Sequence, residues 1–205
     1  MKLISFLLYF PLFIFADISS DTAFQKLLEG NKRYVDNESI VPSDLEEKRE
    51  ETSTKQMPFA VVVGCSDSRV APEIVFDQSI GDLFVVRVAG NVIGPIELDS
   101  IEFAVNKLKT PLVVVLGHQR CGAVSAVLSG HGEKDIENIV PYIQEAIDET
   151  KNKPGDPLVN AIKANVMHGI KELKKSRTIA ALLKAKKLKI VGAYYELESG
   201  KIEFL

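Results

Sequence analysis

Cysteine and histidine are the side chains best suited to gripping a borderline-soft divalent ion. This chain holds two cysteines, Cys65 and Cys121, and three histidines, His118, His131 and His168. His118-x-x-Cys121 supplies two such ligands from one turn, and Cys65 can supply a third. Two thiolates and one imidazole with a fourth position left open form a recognised catalytic zinc arrangement, whereas a structural site is normally closed by a fourth Cys or His. None is near in sequence, since His131 lies in a Gly-rich turn and His168 in a helical stretch. Asp67 and Arg69 follow Cys65 at alternate positions, so all three can face one way in an extended loop. A surface ion pair between such neighbours is worth only about 0–1 kcal/mol, but at the lip of a metal pocket it can restrain a carboxylate. Two bland readings stand beside this one: a Cys65–Cys121 disulfide, and cysteines that are simply small core residues.

Elements that end in the right place are needed to bring these residues together. Pro58–Gly64, Asp82–Val88, Pro111–Gly117 and Leu188–Tyr195 are short apolar, β-branched runs that read as buried strands. Helical patterns lie around them: from Asp21, a plausible N-cap, through Tyr34; from Ser43-Asp44, with Glu46 completing a capping box, toward Gln56; and Ile96–Leu108, Gly122–Leu128, Ile136–Thr150, Pro157–Leu173 and Thr178–Lys184. This alternation predicts an α/β fold: a four-stranded, mainly parallel sheet flanked by helices. The tail from Gly200 to Phe204 should add an antiparallel edge strand after the turn signal Glu198-Ser-Gly200. The two N-terminal helices are expected to lie outside the core and embrace a partner subunit. In open α/β sheets the active site lies beyond the carboxyl ends of the strands. The first strand runs into Gly64-Cys65 and the third into Gly117-His118, so both halves of the ligand set fall at one edge.

The 205 residues suit one domain, and a net charge of -3 without a basic stripe gives no sign of nucleic-acid binding. Leu3 to Ala16 is an almost unbroken apolar run behind Met1-Lys2, too short for a comfortable membrane span. We read residues 1–16 as a signal peptide cleaved near Ala16 and residues 17–205 as the single folded domain, exported and most simply periplasmic. Ile14 is larger than the small residue usual before a cleavage site, so an uncleaved anchor is the alternative. No stable membrane insertion is expected once the leader is removed.

Cys65-Ser-Asp-Ser-Arg-Val70 followed by His118-x-x-Cys-Gly122 resembles the signature pair of the beta-class carbonic anhydrases, here in a bacterial, exported form. The resemblance runs from Asp21 to Leu205. It implies that Cys65, His118 and Cys121 bind one zinc ion per subunit and that Asp67 and Arg69 form a catalytic dyad. It implies reversible hydration of carbon dioxide to bicarbonate and a proton, by attack of zinc-bound hydroxide. Gln56, nine residues before Cys65, matches a glutamine that reaches the neighbouring subunit's bicarbonate pocket, which makes the unit a homodimer or tetramer. Phe84 and Phe103 match apolar lining positions, and many plant-type relatives carry tyrosine at the latter. Ala89 and Gly90 match the pocket-wall loop, and Gly122 completes the second motif. Val70 joins Phe84, Phe103 and Ala89 as a candidate wall for an apolar substrate.

Three-histidine carbonic anhydrases are the usual illustration of zinc lowering the pKa of bound water to about 7. A zinc ion with two thiolates carries no net charge and should pull less on its water, so activity is expected to rise into the alkaline range. Asp67 could itself become a fourth ligand in acid. One branch of the family does this with a tryptophan three residues before the first cysteine, but Val62 stands there, so the open form should prevail at neutral pH. No proton shuttle is evident, and His131 is the nearest candidate by chemistry. Two further readings stay open. One is a relative hydrolysing another small linear molecule such as carbon disulfide, and the other is a disulfide-bonded or zinc-storing exported domain.

Overall fold

A computed structural model of the chain describes residues 18–41, 43, 45–131 and 135–205. The leader expected at residues 1–16 and Asp44, which follows the expected capping residue Ser43, lie outside the described residues, and the Ser43 hydroxyl donates to the Ile40 carbonyl. Five strands make one sheet: β1 (Ala60–Gly64), β2 (Leu83–Arg87), β3 (Leu112–His118), β4 (Lys189–Tyr195) and β5 (Ile202–Phe204). Their order is β2-β1-β3-β4-β5, with the first four parallel and β5 antiparallel to β4. The expected α/β architecture is therefore present, with the C-terminal antiparallel edge in place.

Both faces of the sheet are covered, which is why β1 and β3 read as unbroken apolar runs. Ala60, Val62, Leu112, Val114 and Leu116 point into one core with Phe76 and Leu27. Val61, Val63, Val113 and Val115 point into the other with Ile101, Val166 and Leu173. The helices are α1 (Ser20–Val35), α2 (Leu45–Thr52), α3 (Pro72–Val75), α4 (Pro95–Asn106), α5 (Gly122–Leu128), α6 (Val140–Asp148), α7 (Pro157–Lys175) and α8 (Arg177–Lys184).

The first two helices depart from expectation. Ser19, not Asp21, caps α1, accepting the Thr22 N–H at 3.1 Å. The apolar face of α1 is spent on its own chain, where Ala23 and Leu27 are fully buried in the core. Gly30 meets α3 so closely that a Cβ there would lie 1.8 Å from the Phe76 carbonyl oxygen. Asn31 then donates to the carbonyls of Val75 (2.9 Å) and Gly200 (2.8 Å) and accepts from Ile202 N–H (3.0 Å). Partner packing therefore finds no support in the apolar face of α1. The second helix buries no residue within the chain. It stops at Thr52, so Gln56 sits in an exposed segment beyond it and not on the helix. The helix expected from Ile136 begins at Val140 instead, because Pro141 fits only the first turn of a helix.

Candidate metal centre

Strand β1 delivers Cys65 one residue past its end, and β3 carries His118 as its last residue. The two strands are parallel neighbours in register, Gly64 opposite Leu116, so their carboxyl ends lie side by side. After His118 the chain turns through Arg120, whose φ of 55° is in the left-handed region, and Cys121 becomes the N-cap residue of α5. The two Sγ atoms are 4.0 Å apart, and the ligand atoms of Cys65, His118 and Cys121 all lie within 4.8 Å of one another. All three side chains are buried, and both cysteines are free. The disulfide reading is therefore not the arrangement the fold adopts.

Two features fit this cluster to a cation. His118 Nε2 is buried with no hydrogen-bond partner, while Nδ1 lies 2.9 Å from the carbonyl oxygen of Gln119. An orphaned buried nitrogen costs about 1–3 kcal/mol unless something engages it. The two sulfurs lie within hydrogen-bond reach of each other. Contact with Cys121, together with the Gly90 N–H, holds the Cys65 thiol below its ordinary value, and the same contact with burial pushes Cys121 up. A divalent cation held between them would be met by two thiolates and an imidazole, a set suited to zinc. Gly90 can donate to Cys65 Sγ at 3.3 Å because its φ of 70° suits glycine.

The Asp67 carboxylate stands at the mouth of the cluster, with Oδ2 3.8 Å from His118 Nε2. Arg69 grips it with both arms, Nε to Oδ1 at 2.9 Å and Nη2 to Oδ2 at 2.7 Å, and its own N–H adds a contact at 3.0 Å. That grip holds the Asp67 carboxyl well below the usual carboxylate range. Cys65, Asp67 and Arg69 thus do converge, as their alternate spacing suggested.

The remaining expected residues divide. Ala89 and Gly90 form the turn beside Cys65. Gly122 is exposed at the start of α5. Phe84, half-buried on β2, has its ring centroid 6.5 Å from that of Phe103, which is 48% exposed on α4. Val70 is not a pocket wall: it is fully buried in the core with Phe59 and Phe76. His131 is exposed beside Ser129, and buried His168 faces Glu145 and Glu172.

Sequence reasoning passed over two supporting residues. Arg87 ends β2 and donates to the carbonyls of Cys65 (3.0 Å) and Asp67 (2.7 Å), bracketing the loop that carries both. Its signal was a lone arginine closing an apolar strand. Asn165 of α7 donates to the Gly90 carbonyl at 2.7 Å and steadies the turn against Cys65. Its signal was an amide on the apolar face of a long helix.

Fold and site together define a metal-binding α/β protein of the open-sheet type, with its ligands at neighbouring strand ends and one side of the cluster bordered by a carboxylate. Comparison with known proteins narrows the class. The family model described as "Carbonic anhydrase" matches residues 60–202. The chain is 41% identical over 189 residues to a carbonic anhydrase of Mycolicibacterium smegmatis, spanning 88% of this chain and 91% of that one. It is 37% identical over 187 residues to carbonic anhydrase 2 of Mycobacterium tuberculosis, spanning 87% and 89%. Among solved structures, the beta-carbonic anhydrase CafA of Aspergillus fumigatus superposes with a TM-score of 0.73 at 27% identity, over 89% of this chain and 90% of that chain. The Coccomyxa beta-carbonic anhydrase in complex with acetazolamide gives 0.70 at 25%, over 87% and 84%. The chain belongs to the carbonic anhydrase family, in its beta class.

Proposed function

We propose that the chain is a zinc lyase that hydrates carbon dioxide reversibly, with Cys65, His118 and Cys121 as ligands and Asp67 and Arg69 as the catalytic dyad. Carbonic anhydrase activity rests on the family. The zinc and the dyad rest on one observation: three buried ligand atoms within 4.8 Å of one another, beside a carboxylate held by an arginine fork. Zinc bound there supplies a Lewis acid that makes water nucleophilic near neutral pH. Arg69 keeps Asp67 ionised and fixes its orientation by a bidentate pair. An ionised carboxylate only accepts hydrogen bonds, so Asp67 takes a proton-bearing nucleophile in one orientation. Because both its oxygens are occupied by Arg69, it is also restrained from closing on the ligands itself.

Ala89, Gly90 and Gly122 line the near wall in this reading. Phe84 and Phe103 supply the apolar side for carbon dioxide, completed by Gln56 from a second subunit. The support for a homodimer or tetramer is the half-exposed β2 edge with Phe103 and Ile96 beside it, the latter 78% exposed, and an α2 that buries nothing in its own chain. Export to the periplasm with loss of residues 1–16 is supported by the apolar leader alone. No helix among the described residues is long and apolar enough to cross a membrane.

The test is metal content and carbon dioxide hydration of the purified chain. One zinc per chain with hydratase activity is expected. A joined Cys65–Cys121 pair, or activity unchanged after exhaustive chelation, would overturn the assignment.

A further inference from the structure

The carbonyl that meets His118 is itself held in place. A carbonyl oxygen only accepts, so at 2.9 Å from Gln119 O the Nδ1 of His118 must carry the proton. That leaves Nε2 with its lone pair on the cluster side, where it is buried and unpartnered. The outcome depends on where residue 119 sits, and two hydrogen bonds fasten that residue to the end of β4 and the turn beyond. Gln119 N–H donates to Tyr195 O at 2.8 Å, and its side-chain Oε1 accepts from Leu197 N–H at 3.0 Å. The turn is anchored in its own right, since Asn31 of α1 holds Gly200 and Ile202.

We propose that Gln119 is a positioning residue: its side chain, tied to the β4–β5 turn, aims its own main-chain carbonyl at His118 and so sets which imidazole nitrogen faces the metal. The C-terminal hairpin then has a task beyond closing the sheet, because it is the fixed point against which the His-x-x-Cys turn is set. Arg120 meets Glu198 of the same turn, but both side chains are more than 60% exposed, and such a contact contributes little. The contact through Gln119 is half-buried, and losing it strands a main-chain donor. Arg69 also reaches the Arg120 carbonyl at 3.4 Å, so the placed turn bears on the dyad as well as on the ligands.

This inference rests on the metal reading above, and the experiment separates the two. Gln119→Met keeps the length of the side chain and removes the acceptor, whereas Gln119→Glu keeps an acceptor at the same reach. Metal-free wild type and both variants are titrated with Co2+ and Zn2+ against a chromophoric chelator, and the visible spectrum of the cobalt form is recorded. Outer groups that orient a ligating histidine typically change metal affinity 10–100-fold. The methionine variant is therefore expected to bind each metal about tenfold or more weakly, with an altered cobalt spectrum, while the glutamate variant returns both toward wild type. A methionine variant that binds as tightly as wild type with the same spectrum overturns the role.

Histidine-selective 15N NMR of the metal-free wild type is a second measurement that needs no variant to fold, and only three histidines must be assigned. A proton on Nδ1 of His118 is expected, and one on Nε2 overturns the proposal. A wild type that binds no metal sinks the zinc reading, and the NMR result still judges this one.

Discussion

Replacing Arg69 by lysine asks whether the dyad needs a fork or only a positive charge. Arg69 now meets both oxygens of Asp67, at 2.9 and 2.7 Å. Lysine offers a single compact charge and can satisfy one oxygen at a time. A hydrogen bond between charged groups contributes about 1.5–3 kcal/mol. Half of the Arg69 side chain is exposed, so solvent screens the lost bond and leaves it a small part of the expected loss. A carboxylate freed to swing costs more, because misplacing a reacting group by about 1 Å costs on the order of 100-fold. Arg69→Lys is therefore expected to lower kcat/KM by about 100-fold or more, with zinc content unchanged, because neither member of the pair is a ligand. Stopped-flow hydration with a pH indicator gives the rate, and plasma emission gives the metal. Turnover within twofold of wild type would refute the clamp, and loss of zinc would show that the pair maintains the site instead of the nucleophile.

Three further outcomes follow from the same structure. Activity of the zinc form should rise into the alkaline range, because two thiolates leave the ion without net charge. A rate profile flat from mildly acid to alkaline pH would count against it. Asp77 is pushed up by burial, yet Arg33 at 2.5 Å and the N–H groups of Val41 and Ile40 outweigh this and hold it below its ordinary value. A lowered folded-state pKa gives stability that is fully present above about pH 4 and lost as pH falls through the folded value. Asp77→Asn should cost about 2 kcal/mol at neutral pH, and its urea midpoint should fall less than that of wild type between pH 5 and pH 3. Gly30→Ala places a methyl group 1.8 Å from a main-chain oxygen that cannot step aside, so a loss of about 3 kcal/mol is expected. A variant that melts within a degree or two of wild type would show that α1 does not pack there.

The parts that proved legible were those where chain composition and chemistry coincide. Val61 to Val63 and Val113 to Val115 are runs that only a sheet covered on both faces accommodates, and each run leads through a glycine to a ligand. Cys65, His118 and Cys121 could therefore be placed together from the order of residues alone. Less legible were features set by contacts distant in sequence. The amphipathic pattern of α1 is the same whether it faces its own core or a neighbour, and only the close approach at Gly30 and the three bonds of Asn31 decide it. Arg87 and Asn165 brace the site through main-chain carbonyls, which leave no trace in side-chain spacing. The short α3 lies beneath the minimum length at which periodicity can be read.

Strand β2 closes one side of the sheet with four half-buried apolar residues, Leu83 to Val86, and with its outer main-chain groups unpaired by any strand among the described residues. Such a border is a template on which further strands can grow, one of the ordinary routes to insoluble protein. Whatever shields it in the cell therefore also acts as a safeguard for newly made chains. Preparations refolded at high concentration should cloud in proportion to how slowly that shield arrives.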